Sequence, residues 1–283
     1  MLAIEKTSGL PIALREDFSL EFGPGLRPSS VEVTDQAHLK TYLKDPIARA
    51  SRRDIYSRHT DLALERDREK IAGAGLRYEI LVMPPGKIGE EFVKTKGHYN
   101  LDKIGTSVTY PQLFEVLVGE VFFILQRPSA DPGRLEELYL FSLRHGEKLI
   151  VPPGFGVTAV NPGKEVLVTG CWQAAQNQEQ SEQYEIENGA GYYVIESGRL
   201  SREGETKKNF EFVPNLNYKY LPKLIESQVR ELPRFDLRVA LPMYFTGTKD
   251  PRTLDFLVNP ENYSDDLIPG KLFILPQYEK SGY

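Results

Sequence analysis

Between Leu76 and Glu196 the chain is a series of short apolar runs, each stopped by a turn signal, and this spacing narrows the possible folds more than any other feature. Leu76 to Met83 ends at Pro84-Pro85-Gly86, with Tyr78, Ile80 and Val82 on one side. Leu113 to Val118 and Val121 to Gln126 are separated by Gly119-Glu120, the glycine-first pair that a type II′ hairpin demands. Leu135 to Leu143 follows, and Lys148 to Val151 stops at Pro152-Pro153-Gly154. Val157 to Val160 and Glu165 to Trp172 flank Asn161-Pro162-Gly163-Lys164, and Tyr192 to Glu196 ends at Ser197-Gly198. Runs at roughly 8–12-residue spacing with turns between them predict a β-sandwich or barrel, not a parallel sheet.

The flanks read differently. Residues 1–75 form a partly helical arm expected to pack on the barrel, with Leu39 and Leu43 on one face of a short helix between Asp35 and Lys44. Arg49, Arg52, Arg53 and Arg58 form a basic cluster, read as a solvated face or a phosphate contact. Residues 76–200 are the barrel. Residues 201–283 are a C-terminal extension in which Pro222 to Leu232 reads as a helix and an aromatic tail packs on the barrel or on a second subunit. Gln173, Gln176, Gln178, Gln180 and Gln183 crowd one stretch, either a surface loop or a lid over the barrel mouth.

Composition excludes several classes. Hydrophobic residues at 40% and charged residues at 27% are globular values. A net charge of −5 speaks against nucleic-acid binding. No apolar run approaches the ~20 residues needed to span a bilayer. Cys171 stands alone, so no intrachain disulfide or CxxC site is available. Met1 to Leu10 does not read as a secretory signal, and a cytoplasmic setting is expected. Rossmann, P-loop, GxSxG and HExxH patterns are missing. His38, His59 and His145 read as surface residues, and Trp172, Phe122 and Phe123 as barrel packing.

The informative stretch is Pro84-Pro85-Gly86-Lys87-Ile88-Gly89-Glu90-Glu91-Phe92-Val93-Lys94-Thr95-Lys96-Gly97-His98-Tyr99-Asn100. It is followed by Gln112-Leu113-Phe114-Glu115-Val116-Leu117-Val118-Gly119 and by Val151-Pro152-Pro153-Gly154-Phe155-Gly156-Val157-Thr158-Ala159-Val160-Asn161. Together these resemble the cupin-type phosphoglucose isomerases of archaea and some bacteria, over roughly Leu76 to Glu196. The resemblance implies a mostly β fold, a cupin double-stranded β-helix barrel, acting as a homodimer on glucose 6-phosphate and fructose 6-phosphate. It also implies a divalent metal held by two His of a G-H-x-H motif, a Glu on the next strand pair and a later His. Such a metal polarises the sugar oxygens, while a carboxylate moves the proton between neighbouring carbons.

Carried over residue by residue, the ligand set is degenerate. His98 matches the first ligand. Asn100 stands at the second His, Gln112 at the Glu and Val157 at the last His. Neutral amides are poor ligands for divalent ions, so no tightly bound cofactor is expected, and a metal at His98 with Asn100 and Gln112 binds weakly or not at all. His98 and Gln112 remain the candidate catalytic positions, although an amide cannot act as a base. Thr95, Gly97, Asn100 and Phe114 are the candidate substrate contacts, Phe114 replacing a Tyr. Glu115 is an odd number of positions from Gln112 and is expected on the other face of the strand. The readings are an aldose–ketose isomerase acting on a sugar phosphate, a non-catalytic cupin binding a sugar phosphate or similar polar ligand, and a structural subunit; neither nucleic acid nor membrane is an expected partner.

Overall fold

The runs are rich in Val, Ile, Leu and Phe and lack the three-to-four spacing of a helix, so they form strands. The computed structural model describes residues 1–197 and 210–276. One sheet has six strands in the order Lys148–Val151, Gln112–Val118, Leu167–Ala174, Leu76–Met83, Asp54–Thr60 and Ser30–Asp35, each pair antiparallel. A second sheet runs Gly156–Val160, Glu120–Pro128, Leu135–Arg144, Ile225–Val229 and Phe273–Ile274. In it Leu135–Arg144 and Ile225–Val229 are parallel and the other pairs antiparallel. Phe114 of the first sheet meets Phe123 of the second with ring centroids 5.1 Å apart, so the sheets share an interior. This mostly β architecture is the cupin double-stranded β-helix barrel.

Three expectations need correction. The strands flanking Gly119-Glu120 do not pair as a hairpin. Gln112–Val118 pairs with Lys148–Val151 and Leu167–Ala174, whereas Glu120–Pro128 pairs with Leu135–Arg144 and Gly156–Val160. Gly119 carries the chain from one sheet to the other at φ +80°, and a Cβ there would lie 2.5 Å from the Val166 carbonyl oxygen. The local turn signal is real, but strands buried on both faces choose partners by long-range packing. Second, Pro222 to Leu232 is not a helix. Ile225–Val229 is a strand in which Ile225, Ser227 and Val229 face inward and Glu226 and Gln228 face solvent. That period of two is hidden in the sequence because the central inward residue is polar. Third, the segment expected to be an irregular arm supplies two strands, Ser30–Asp35 and Asp54–Thr60, to the six-stranded sheet. Its short helix is present as Gln36–Leu39, capped by the Asp35 carboxylate accepting from the His38 amide.

The outer face of the six-stranded sheet is buried as well. Tyr78, Ile80 and Trp172 join Tyr244 and Phe256 in one apolar cluster. The Trp172 indole N–H donates to the Met243 carbonyl at 2.9 Å, and its ring lies 5.9 Å from that of Tyr244. The C-terminal segment therefore packs on the barrel, one of the two positions left open for it. Gly198, the upper edge of the expected barrel domain at 200, and residues 277–283 lie outside the described residues.

Candidate active site

Strand alternation sets the interior. Gln112 and Phe114 point between the sheets, as do Glu79 and Leu81 on the neighbouring Leu76–Met83 strand and Thr169 and Cys171 on Leu167–Ala174. The segment carrying Thr95 and His98 runs along the edge of the facing sheet. The His98 amide donates to the Val157 carbonyl at 3.1 Å, the Val157 amide donates back at 2.9 Å, and the Thr95 amide donates to the Ala159 carbonyl at 2.8 Å. Thr95, His98, Gln112, Phe114 and Val157 thus line one pocket. Gly97 makes the close approach possible. It sits at φ +83°, and a Cβ there would be 2.5 Å from the Thr158 hydroxyl and 2.6 Å from the Tyr184 ring.

Asn100 is buried beside this pocket rather than lining it. Its amide donates to the Tyr110 carbonyl at 2.7 Å, and its oxygen accepts from Asn177 at 2.9 Å. Glu115 lies on the opposite face, where it pairs with Lys148 at 2.8 Å and accepts from the Met243 amide at 2.7 Å. Lys94 is buried against Glu91 at 2.6 Å, and Lys96 reaches the mouth of the barrel. His59 differs from expectation. It is 6% exposed, on an interior strand against Phe22, because the arm it was assigned to is part of the sheet. Of the other two, His38 is exposed beside Asp35, and His145 is exposed with its ring against the Leu117 carbonyl.

The charges of the pocket come from residues outside the motif. Glu179 lies in the glutamine-rich stretch, which is neither a plain surface loop nor a free lid. Glu179–Gln180 pairs with Tyr99–Asn100, directly after His98. From there the Glu179 carboxylate reaches Arg58 at 2.6 Å, the Gln112 amide at 3.0 Å and His98 Nε2 at 3.5 Å. Arg58, expected in a basic cluster on a solvated face or at a phosphate, points into the barrel, and its Nε lies 3.8 Å from Glu79. Glu79 also pairs with Arg77 at 3.1 Å and accepts a bond from the Gln173 amide. Arg77 and Glu79 alternate with apolar Tyr78 and Ile80. That pattern reads as a solvent face, but both faces of this strand are covered. No local signal marks Glu179, because its position depends on pairing with a segment some 80 residues away.

Hydrogen-bond logic fixes the orientation of the polar groups. An ionised Glu179 only accepts, so Gln112 turns its amino group to it and its oxygen to His98, whose Nε2 donates at 2.8 Å. Burial, aided by Arg58, lowers the His98 pKa below 6.5, so the ring is neutral at pH 7. For Glu179 burial acts upward, but His98, which is charged at the acid pH where this carboxyl titrates, and Arg58 outweigh it and hold the carboxyl below its ordinary range. Glu79, for which burial dominates, is pushed up. Burial also raises the Cys171 thiol, leaving it protonated at pH 7.

A double-stranded β-helix with a polar pocket between its sheets, lined by Arg58, Glu79, His98 and Glu179, is a cupin barrel. The chain matches the glucose-6-phosphate isomerase (GPI) family model over residues 35–211, more than half its length, and it belongs to that family. It is 26% identical to the glucose-6-phosphate isomerase of Thermococcus gammatolerans over 136 residues, 48% of this chain and 59% of that protein. To the Pyrococcus abyssi glucose-6-phosphate isomerase it is 26% identical over 161 residues, 56% of this chain and 76% of that one. The chain thus covers less than two thirds of the Thermococcus relative. Similar solved structures include Capsicum annuum vicilin (15% identity, TM-score 0.32, 44% of this chain and 30% of that one) and pumpkin seed globulin (12%, TM-score 0.35, 54% and 35%).

The divalent ion that the resemblance implies finds no fitting donor set. Of the four positions only His98 is a ligand type, and Gln112 and Asn100 have their polar ends committed to protein partners. Glu179 and Glu79, the carboxylates that do reach the pocket, already face Arg58. Among the described residues no group of three His, Cys, Asp or Glu is arranged to hold a metal.

Proposed function

We propose that this chain acts on a sugar phosphate at the barrel mouth, interconverting glucose 6-phosphate and fructose 6-phosphate. The observation that supports this most directly is the convergence of Thr95, Gly97 and His98 from the PPGKIGEEFVKTKGHY stretch with Arg58 and Glu179 around one pocket, all within the family-matched region. Lys96, Arg58 and the Thr95 hydroxyl line a mouth cleft of about 180 Å³, a setting for the phosphate. Isomerisation moves one proton from C2 to C1 and another from O2 to O1. Neutral His98 takes the first from C2 of the open-chain aldose as O1 is protonated, giving the enediol; the protonated ring then returns a proton to C1 as O2 gives up its proton and becomes the ketose carbonyl. Gln112, bonded to His98 Nε2, is a positioning residue. The homodimer and the cytoplasmic setting belong to the same proposal, and size-exclusion chromatography with light scattering tests the former.

A second reading, ligand binding without turnover, is favoured by one observation. The pocket has a volume of about 30 Å³, space for one or two waters, with the paired Arg58 and Glu179 in its lining. A coupled assay starting from fructose 6-phosphate, together with calorimetry of the same ligand, separates the readings. Turnover that falls at least about tenfold in His98→Asn supports the isomerase. Heat of binding with no turnover supports the binder, and neither signal removes both.

A further inference from the structure

We propose that Arg58 is the resident cation of this barrel and fills the electrostatic place of a divalent ion, so that the pocket of the native protein does not take up metal. The guanidinium lies between two carboxylates that line the same pocket from different strands, 2.6 Å from Glu179 and 3.8 Å from Glu79. Glu179 in turn contacts His98 at 3.5 Å. Carboxylates are among the donor types that divalent ions favour, and here both face a guanidinium instead. A divalent ion entering this pocket would meet a fixed positive charge already in hydrogen-bond contact with its strongest ligand. Carboxylate donors are thus present in the barrel but occupied, which differs from a pocket that has simply lost its ligands. A guanidinium also suits an oxyanion better than an ammonium does, since it offers a planar fork of donors. The proposal rests on the pocket's charges and not on the sugar-phosphate reading, so a protein inactive on fructose 6-phosphate leaves it intact.

The test is Mn²⁺ binding, followed by electron paramagnetic resonance and by the thermal midpoint of the full chain. Wild type should leave added Mn²⁺ free and show no midpoint shift. Arg58→Ala should free the Glu79 and Glu179 carboxylates, bind Mn²⁺ with at least roughly tenfold higher affinity than wild type, and gain a Mn²⁺-dependent rise in midpoint. Adding Glu179→Gln to Arg58→Ala should abolish that gain. If Arg58→Ala does not fold alone, Mn²⁺ during refolding should restore its native circular dichroism, and Arg58→Gln carries the same prediction. Stoichiometric Mn²⁺ on wild type overturns the proposal. So does failure of Mn²⁺ to bind or rescue either variant.

Discussion

Glu179 and His59 are the two residues whose burial most changes what can be expected of a substitution. Glu179→Gln leaves the Arg58 guanidinium with Glu79, 3.8 Å from its Nε, as its remaining carboxylate. Removing one partner of a buried pair costs roughly 3–5 kcal/mol, and a Glu79 that remains nearby puts the loss at the low end, about 3 kcal/mol by urea denaturation. A loss under about 1 kcal/mol would mean that the pair is solvated and that the interior is not charge-balanced as described. His59 makes a pH-dependent case. Burial lowers its pKa below 6.5 in the fold, and its Nδ1 has no hydrogen-bond partner. The unfolded chain therefore binds the proton more readily, so stability present above pH 6.5 is lost as pH falls. His59→Phe keeps an aromatic ring against Phe22 and removes the titration. Its midpoint should fall less than that of wild type between pH 7.5 and 5.5, and parallel slopes would count against a neutral buried ring.

At the scale of elements, the six-stranded sheet is held from outside by a buried ion pair. Lys148 donates to Glu115 at 2.8 Å and to the Arg238 carbonyl at 2.8 Å, while Glu115 accepts from the Met243 amide. Lys148→Met should cost roughly 3–5 kcal/mol by leaving the carboxylate uncompensated, and Glu115→Gln with Lys148→Met should recover most of it, because the amide oxygen still accepts from Met243. Equal losses in the single and double variants would show that Lys148 acts through packing alone. These same elements show how far the sequence could be read. Lys148–Val151 and Tyr192–Glu196 have the bounds their proline and polar stops imply, since a strand's ends are set locally. Pairing is not local. Gly119 marks a corner correctly, yet nothing nearby says that its two strands belong to different sheets. His98, Gln112 and Val157 could be brought together from their motif, whereas Arg58 and Glu179 could not, since each looks like part of a polar surface run. Glu115 was legible from parity alone: three positions from Gln112 on a regular strand is the far side.

The whole molecule reads as one cooperative unit because the C-terminal segment closes the sheet's outer face. Trp172 is the chain's single tryptophan and is fully buried between Tyr78 and Tyr244, with ring centroids 4.9 and 5.9 Å away. The contact is tight enough that a Cβ on Gly247 would lie 2.4 Å from the indole. Tyr244 extends the closure by donating to Asp67 at 3.0 Å and accepting from the Leu64 amide at 3.0 Å, which ties the segment to the chain preceding the barrel. If the segment were a loosely docked tail, the indole would become exposed to water before the strands separated. With this much shared apolar surface, local release costs nearly as much as global unfolding. The expected result is that tryptophan emission and far-ultraviolet circular dichroism give coincident urea transitions. Gly247→Ala should shift both midpoints down together, because the added methyl group pushes on a ring packed against the sheet itself. An emission change that precedes the loss of β signal would instead divide the molecule into a self-sufficient barrel and a separable cover.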